Sequence, residues 1–143
     1  MNSNLNASLN ANAPIAAMGR ALIAAIFFIS GVGKLMAPHA TMAYIGSLGL
    51  PAPALGMMGA LVLELAGAML LAIGYKTRWV ALLLAVYAIV TALIFHHQLA
   101  NQDQMFHFLK NLAMAGGLFQ VIAFGPGTFS LDNRRLLAQR AAA

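Results

Sequence analysis

Cysteine is absent, acidic side chains number three, and charged residues of both signs make up only 8% of 143 positions. The missing thiols exclude disulfide chemistry, cysteine-held iron–sulfur clusters and Cys-ligated zinc within this chain. Eight Lys and Arg with three Asp and Glu are too few to coat a soluble domain, in which about 25% of residues are charged. A soluble enzyme, a disordered chain and a coiled coil are thereby excluded. No basic cluster with interleaved aromatics occurs, so the net charge of +5 does not read as a nucleic-acid footprint. No complete phosphate loop occurs either: Gly31-Val32-Gly33-Lys34 lacks the rest of that motif and sits inside an apolar run.

What is present is grease. Hydrophobic residues make up 62% of the chain, against roughly 45–50% in ordinary domains, and mean hydropathy is +0.82. Four apolar segments, about 16–36, 54–74, 79–97 and 105–124, each approach the roughly 20 residues that cross about 30 Å of hydrocarbon. They show neither the polar stripe of a soluble helix nor the alternation of a barrel strand. The fold expected is therefore an all-α bundle of four transmembrane helices. An Asn-rich tail over 1–14 precedes a membrane domain over 15–128, and a basic tail over 129–143 follows it. The tail has no positive n-region, which predicts an uncleaved first span.

Arg20, Lys76, Arg78, Arg134, Arg135 and Arg140 fall on one side of a four-span arrangement. Lys34 alone ends on the other, and Lys110 lies within the fourth span. This asymmetry predicts both termini in the cytoplasm. In the first outer loop, Pro38 with Met42, Ile45 and Leu48 predicts a short helix on the membrane surface. Ser130 is positioned to cap a short basic helix from Leu131 to about Arg140.

Polar residues within the spans carry the functional signal. Glu64 lies at the middle of the second, where an ionised carboxylate costs on the order of 3 kcal/mol. Ala60, Gly67 and Ala68 share its helical face, which lets another backbone approach. Two readings stand together: a functional group that holds or relays a proton, and a carboxylate that glues helices through a buried pair. Lys110 is the partner expected, about 7 Å further out at 1.5 Å per residue. Its alternative is to snorkel outward alone. His107, Asn111, Tyr87, Thr91 and Lys34 fall in the same outer half. Together they predict a ligand-binding cavity built by Glu64, Lys110, Tyr87, Thr91, His107, Asn111 and Lys34, with Glu64 the candidate catalytic group. No metal site is expected: His96 and His97 diverge by about 100° on a helix, and no carboxylate or thiolate completes a set with His107.

FISGVGKL, LPAPALG, LELAGAMLLAIGYKTRWVA, TALIFH, KNLAMAGG and GPGTFSLDNRR, in this order over about 19–135, resemble the DoxX family, nearest its YqjF-like branch of small bacterial inner-membrane proteins. The resemblance implies a four-helix protein of the bacterial inner (plasma) membrane. It also implies a redox or oxidative-stress association, since some relatives are linked to quinone reduction. A quinone is the ligand class expected, with its carbonyls bonded by Tyr87 and Thr91. With no cysteine here, sulfur chemistry would reside on a partner oxidoreductase subunit. The rival readings are a non-catalytic scaffold or accessory subunit and, more weakly, a small-solute transporter.

One outcome follows from the basic residues alone. A reporter fused after Arg140 should read cytoplasmic and a tag near Ala100 should read outside; an outward C-terminus would refute the four-span topology.

Overall fold

The computed structural model describes residues 13–142. Most of the tail expected over 1–14 lies outside these residues. Ala13 and Pro14, its last two, instead open α1 (Ala13–Met36), where a proline in the first turn forfeits no helical hydrogen bond. The short α2 (Pro38–Ser47) follows with Pro38 at its start, as the outer-loop pattern predicts, and Ile45 is its buried anchor. Then come α3 (Pro53–Ile73), α4 (Thr77–Phe95), α5 (Gln102–Phe124) and α6 (Leu131–Ala141). The described residues contain helices and no strand.

Three helices, α1, α3 and α4, are long and apolar enough to cross a membrane. At 23 residues α5 is long enough as well, but its first ten carry Gln102, Asp103, Gln104, His107 and Lys110. It begins three residues before the expected boundary because Asn101 caps it, accepting from the amides of Asp103 and Gln104 at 3.0 and 3.2 Å.

The most extensive packing is between α4 and α5. On α4 the buried residues are Thr77, Val80, Ala81, Leu84, Ala85, Ala88 and Ala92, which recur once per helical turn along one face. On α5 they are Asn111, Met114, Ala115 and Leu118. Four alanines on one face allow close backbone approach, the usual basis of helix association in lipid. Helix α1 lies against α3, with Phe27 and Leu71 in the shared core. Large apolar side chains such as Leu22, Ile29, Val62 and Leu93 point outward, each more than half exposed. Arg20, Glu64, Thr77 and Asn111 are buried. This arrangement is the reverse of a soluble protein and suits hydrocarbon as the surrounding medium.

The end of the bundle that carries the basic residues is locked by the chain between α5 and α6. Gly74, at φ 71°, ends α3 with the Tyr75 amide returning to the Leu70 carbonyl at 3.0 Å, a Schellman closure. The first turn of α4 has no cap of its own. Asp132 supplies one from α6: its carboxylate accepts from the Lys76 and Thr77 amides at 2.8 Å each and from the Thr77 hydroxyl at 2.7 Å. This remote cap starts α4 at Thr77, two residues before the expected Trp79. Ser130 caps α6 as predicted, accepting from the Asn133 amide at 3.1 Å. Arg20 donates to the Phe129 carbonyl at 2.6 Å, and Arg135 lies over the Tyr75 ring at 4.7 Å.

Burial pushes the Asp132 carboxyl up, but the hydrogen bonds from Thr77 and Lys76 and the Arg135 charge outweigh it and leave the pKa below its ordinary value. A depressed carboxyl stabilises above the ordinary value and loses that stabilisation as pH falls through the lowered one. Asp132→Ala should therefore cost about 1–2 kcal/mol, the scale of a lost helix cap, and should release α6 to limited proteolysis at neutral pH. Acidification below the carboxylate range should do the same to the parent protein but add little to the variant. A variant with parental melting and protease resistance would refute the clamp.

Candidate functional site

Glu64 occupies the third position of a π-helical turn, Val62–Gly67, in the middle of α3. Such turns admit one extra residue and recur at functional sites. Against it lies Gly31 of α1: a Cβ there would stand 2.7 Å from Leu65 Cδ2 and 3.1 Å from Glu64 Cβ. Glycine is what lets α1 press against the widened turn.

The carboxylate is buried, at 3% exposure, and holds three donors on one oxygen. Glu64 Oε1 accepts from Ser30 Oγ at 3.1 Å, Lys34 Nζ at 2.8 Å and Tyr87 Oη at 2.8 Å. Lys34 also donates to Ser30 Oγ at 2.9 Å. Thus α1 and α4 both reach the same atom of α3. Glu64 Oε2 is buried with no hydrogen-bond partner.

The expected ion pair is corrected here. Glu64 pairs with Lys34, and Lys110 donates to His107 Nδ1 at 3.1 Å. Depth along the membrane normal favoured Lys110, but depth says nothing of direction around the bundle. Lys34 is one helical turn from Ser30 and its four-carbon stem reaches inward. Tyr87 is corrected too: its hydroxyl proton is spent on Glu64, so it is not the carbonyl donor expected. Asn111 is buried, with its amide nitrogen bonded to the His107 carbonyl at 2.9 Å.

Two adjoining cavities border this cluster. One of about 420 Å³ is lined by Glu64, Tyr87, Thr91, Lys110 and Asn111 on its polar side and by Ile26, Phe27, Ile29 and Met114 on its apolar side. The other, of about 530 Å³, reaches outward under α2 and includes Tyr44, Pro51, Phe95 and His107. Both are bounded by Ser30, Lys34, Tyr87, Thr91, His96 and Lys110. The structure therefore brings all seven expected residues to this region. Tyr44 of α2 donates to the Phe95 carbonyl at 3.2 Å and holds α2 across the mouth of this second cavity. His96, not His97, meets His107: their rings stack at 5.0 Å, and His96 Nδ1 bonds Gln104 Oε1 at 2.9 Å.

Sequence reasoning missed three contributors. Ser30, one turn from Lys34 on α1, is not among the expected site residues, yet it donates to Glu64 Oε1. The clamp by Asp132 joins residues 55 apart, and no local pattern signals it. Arg20 was read as a topology marker, whereas it is 2% exposed with Nε and Nη1 unpartnered.

The DoxX family model matches residues 15–97, from the start of α1 to just past α4. The chain belongs to the DoxX family. It is 37% identical over 122 residues to inner membrane protein YphA of Escherichia coli (strain K12), covering 82% of this chain and 87% of that one. It is 32% identical over 116 residues to inner membrane protein YqjF of the same strain, covering 81% and 88%. No solved structure matches. With three apolar helices, DoxX membership marks an inner-membrane protein. The family-model match includes Ser30, Lys34, Glu64, Tyr87 and Thr91, all three helices of the hydrogen-bonded cluster; Lys110 and the Asp132 clamp lie beyond it.

The pairing gives a measurable contrast. Double-mutant cycles in detergent melts should show a coupling of about 1–3 kcal/mol between Glu64→Ala and Lys34→Ala, as for residues in contact. The Glu64 and Lys110 cycle should be additive within about 0.5 kcal/mol. The opposite ranking would restore the Lys110 pair.

Proposed function

We propose that this DoxX-family protein crosses the inner membrane four times, with both termini in the cytoplasm, and holds a small lipophilic ligand of the quinone class in the outer half of its bundle. The observation that carries this reading is a buried carboxylate with an unpartnered oxygen beside a cavity that is polar on one side and apolar on the other. Convergent polar groups in an apolar pocket are the general mark of a ligand site. The fourth crossing is α5, whose polar first half faces the cavity through Lys110 and Asn111 and whose second half, from Leu112 on, carries no charge.

The lining fits such a ligand. A ring with two oxygens needs hydrogen-bonding groups, and Lys110 and Thr91 border the cavity with Lys34. An alkyl tail needs grease, which Ile26, Ile29 and Met114 supply. Glu64 holds or accepts a proton at the ligand's head, and Lys34 sets its charge. The redox association rests on family resemblance. Any sulfur redox chemistry would reside on a partner oxidoreductase subunit, since the chain has no cysteine. The competing class is a scaffold whose polar core fixes helix register and recruits partners.

Native mass spectrometry of the protein released from native membranes separates the two. A bound lipophile of quinone mass at near one per chain is expected, and its occupancy should fall with Thr91→Val and Lys110→Ala. A ligand-free chain with a stoichiometric partner subunit would put the scaffold reading in its place.

A further inference from the structure

The basic end of the bundle holds a separate cavity of about 570 Å³, between the start of α4 and the turn that joins α5 to α6. It shares no lining residue with the two cavities beside Glu64. Lys76, Arg78 and Thr128 belong to its polar lining, and Trp79 and Phe124 to its apolar lining. These two aromatics are 71% and 82% exposed. Trp79 stands in the first turn of α4 and Phe124 at the last position of α5, where apolar helix gives way to polar connection. Exposed aromatic rings at such a level mark the membrane–water boundary, so the cavity opens where phospholipid headgroups lie.

Its cations are unspent. Among the described residues the one ion pair joins Lys34 to Glu64, so neither Lys76 nor Arg78 has an acidic partner. Asp132 borders the cavity too, but its carboxylate accepts from the Lys76 and Thr77 amides and the Thr77 hydroxyl. Its charge is thereby set against the positive start of α4. The Arg78 guanidinium lies beside the turn after α5: a Cβ on Gly125 would stand 3.4 Å from its Nη2 and 3.6 Å from its Nε.

We propose that this cavity binds one anionic phospholipid of the phosphatidylglycerol type, with its phosphate between Lys76 and Arg78 and its acyl chains running past Trp79 and Phe124. The planar fork of an arginine matches two phosphate oxygens, and the Thr128 hydroxyl adds a donor. Phosphatidylcholine carries the same phosphate, but its ammonium would bring a third cation to a place that already holds two. The site is independent of what the cavities beside Glu64 hold.

Trp79 is the chain's single tryptophan, so its fluorescence reports on this cavity. The full chain is reconstituted in phosphatidylcholine bilayers holding a minor fraction of phosphatidylglycerol, with bromine on the acyl chains of one lipid or the other as quencher. At equal mole fraction, brominated phosphatidylglycerol should quench Trp79 more than brominated phosphatidylcholine does. The difference should correspond to roughly 10- to 30-fold tighter binding, at about fivefold for each of two basic side chains. Lys76→Gln and Arg78→Gln should each lower the preference about fivefold. Arg140→Gln, the same loss of charge near the far end of α6, should leave it unchanged. All three side chains are exposed, and the comparison of the two lipids needs no variant. Inorganic phosphate in the buffer should not relieve the quenching, because a free ion lacks the acyl contacts. Equal quenching by the two lipids, or an equal loss in Arg140→Gln, overturns the site and leaves only diffuse attraction to the basic end. Relief of the quenching by inorganic phosphate overturns the lipid as occupant and puts a soluble phosphate in its place.

Discussion

A carboxylate near the middle of a hydrocarbon-spanning helix must be given donors by its own protein, because lipid supplies none. Much of this half of the molecule follows from that requirement. Glu64 draws Ser30 and Lys34 from α1 and Tyr87 from α4 onto one oxygen. Three helices are thereby tied at one depth and in one rotational setting. Gly31 must be small for α1 to come close enough, and the alanine face of α4 brings α5 alongside to complete the wall. A polar network of this kind orders a bundle more sharply than apolar packing, since a slipped helix would leave a charge unpaired.

The opposite end is fixed by other means. There the donors are main-chain amides at the start of α4, and the acceptor arrives from α6 some 55 residues along the chain. Arg20, buried beside this junction, bonds the Phe129 carbonyl, so the segment joining α5 and α6 touches the beginning of α1 as well as the turn after α3. That end closes through backbone hydrogen bonds and helix caps, and the end that holds Glu64 through side chains, with α2 lying over it.

Much of this was legible in the sequence because lipid imposes simple rules. Charge-free runs of about 20 residues marked the spans, and Pro38 and Ser130 marked the starts of the two short helices. Glu64 stood out because a carboxylate at that depth must be given partners, whether it serves a ligand or only ties helices together. Its partner did not follow. Counting 1.5 Å per residue locates a side chain along the normal, but helix order around the axis is set by tertiary packing, which one sequence does not encode locally. Lys110 and Lys34 both lie within reach in depth; only direction separates them. The same gap hid the Asp132 clamp, and it led to reading Tyr87 as a free donor when its proton is already committed. Boundaries moved by one to three residues where a cap came from outside the apolar run, as Asn101 does for α5.

The π-helical turn has a consequence for how this chain tolerates change. It holds one residue more than an α-helical turn would, so the two halves of α3 are offset by about 100° relative to an unbroken helix. A substitution within Val62–Gly67 alters one side chain, whereas deletion of any one of these residues would heal the helix and swing everything on one side of it around the axis. Either Glu64 would leave Lys34 and Tyr87, or Ala68 and Leu71 would leave the core they share with Phe27 and Leu84. The length of this segment, and not only its composition, is thus a constraint on the protein. Among descendants of this chain, single-residue gaps should collect in the loops at the ends of α3 and be excluded from its centre.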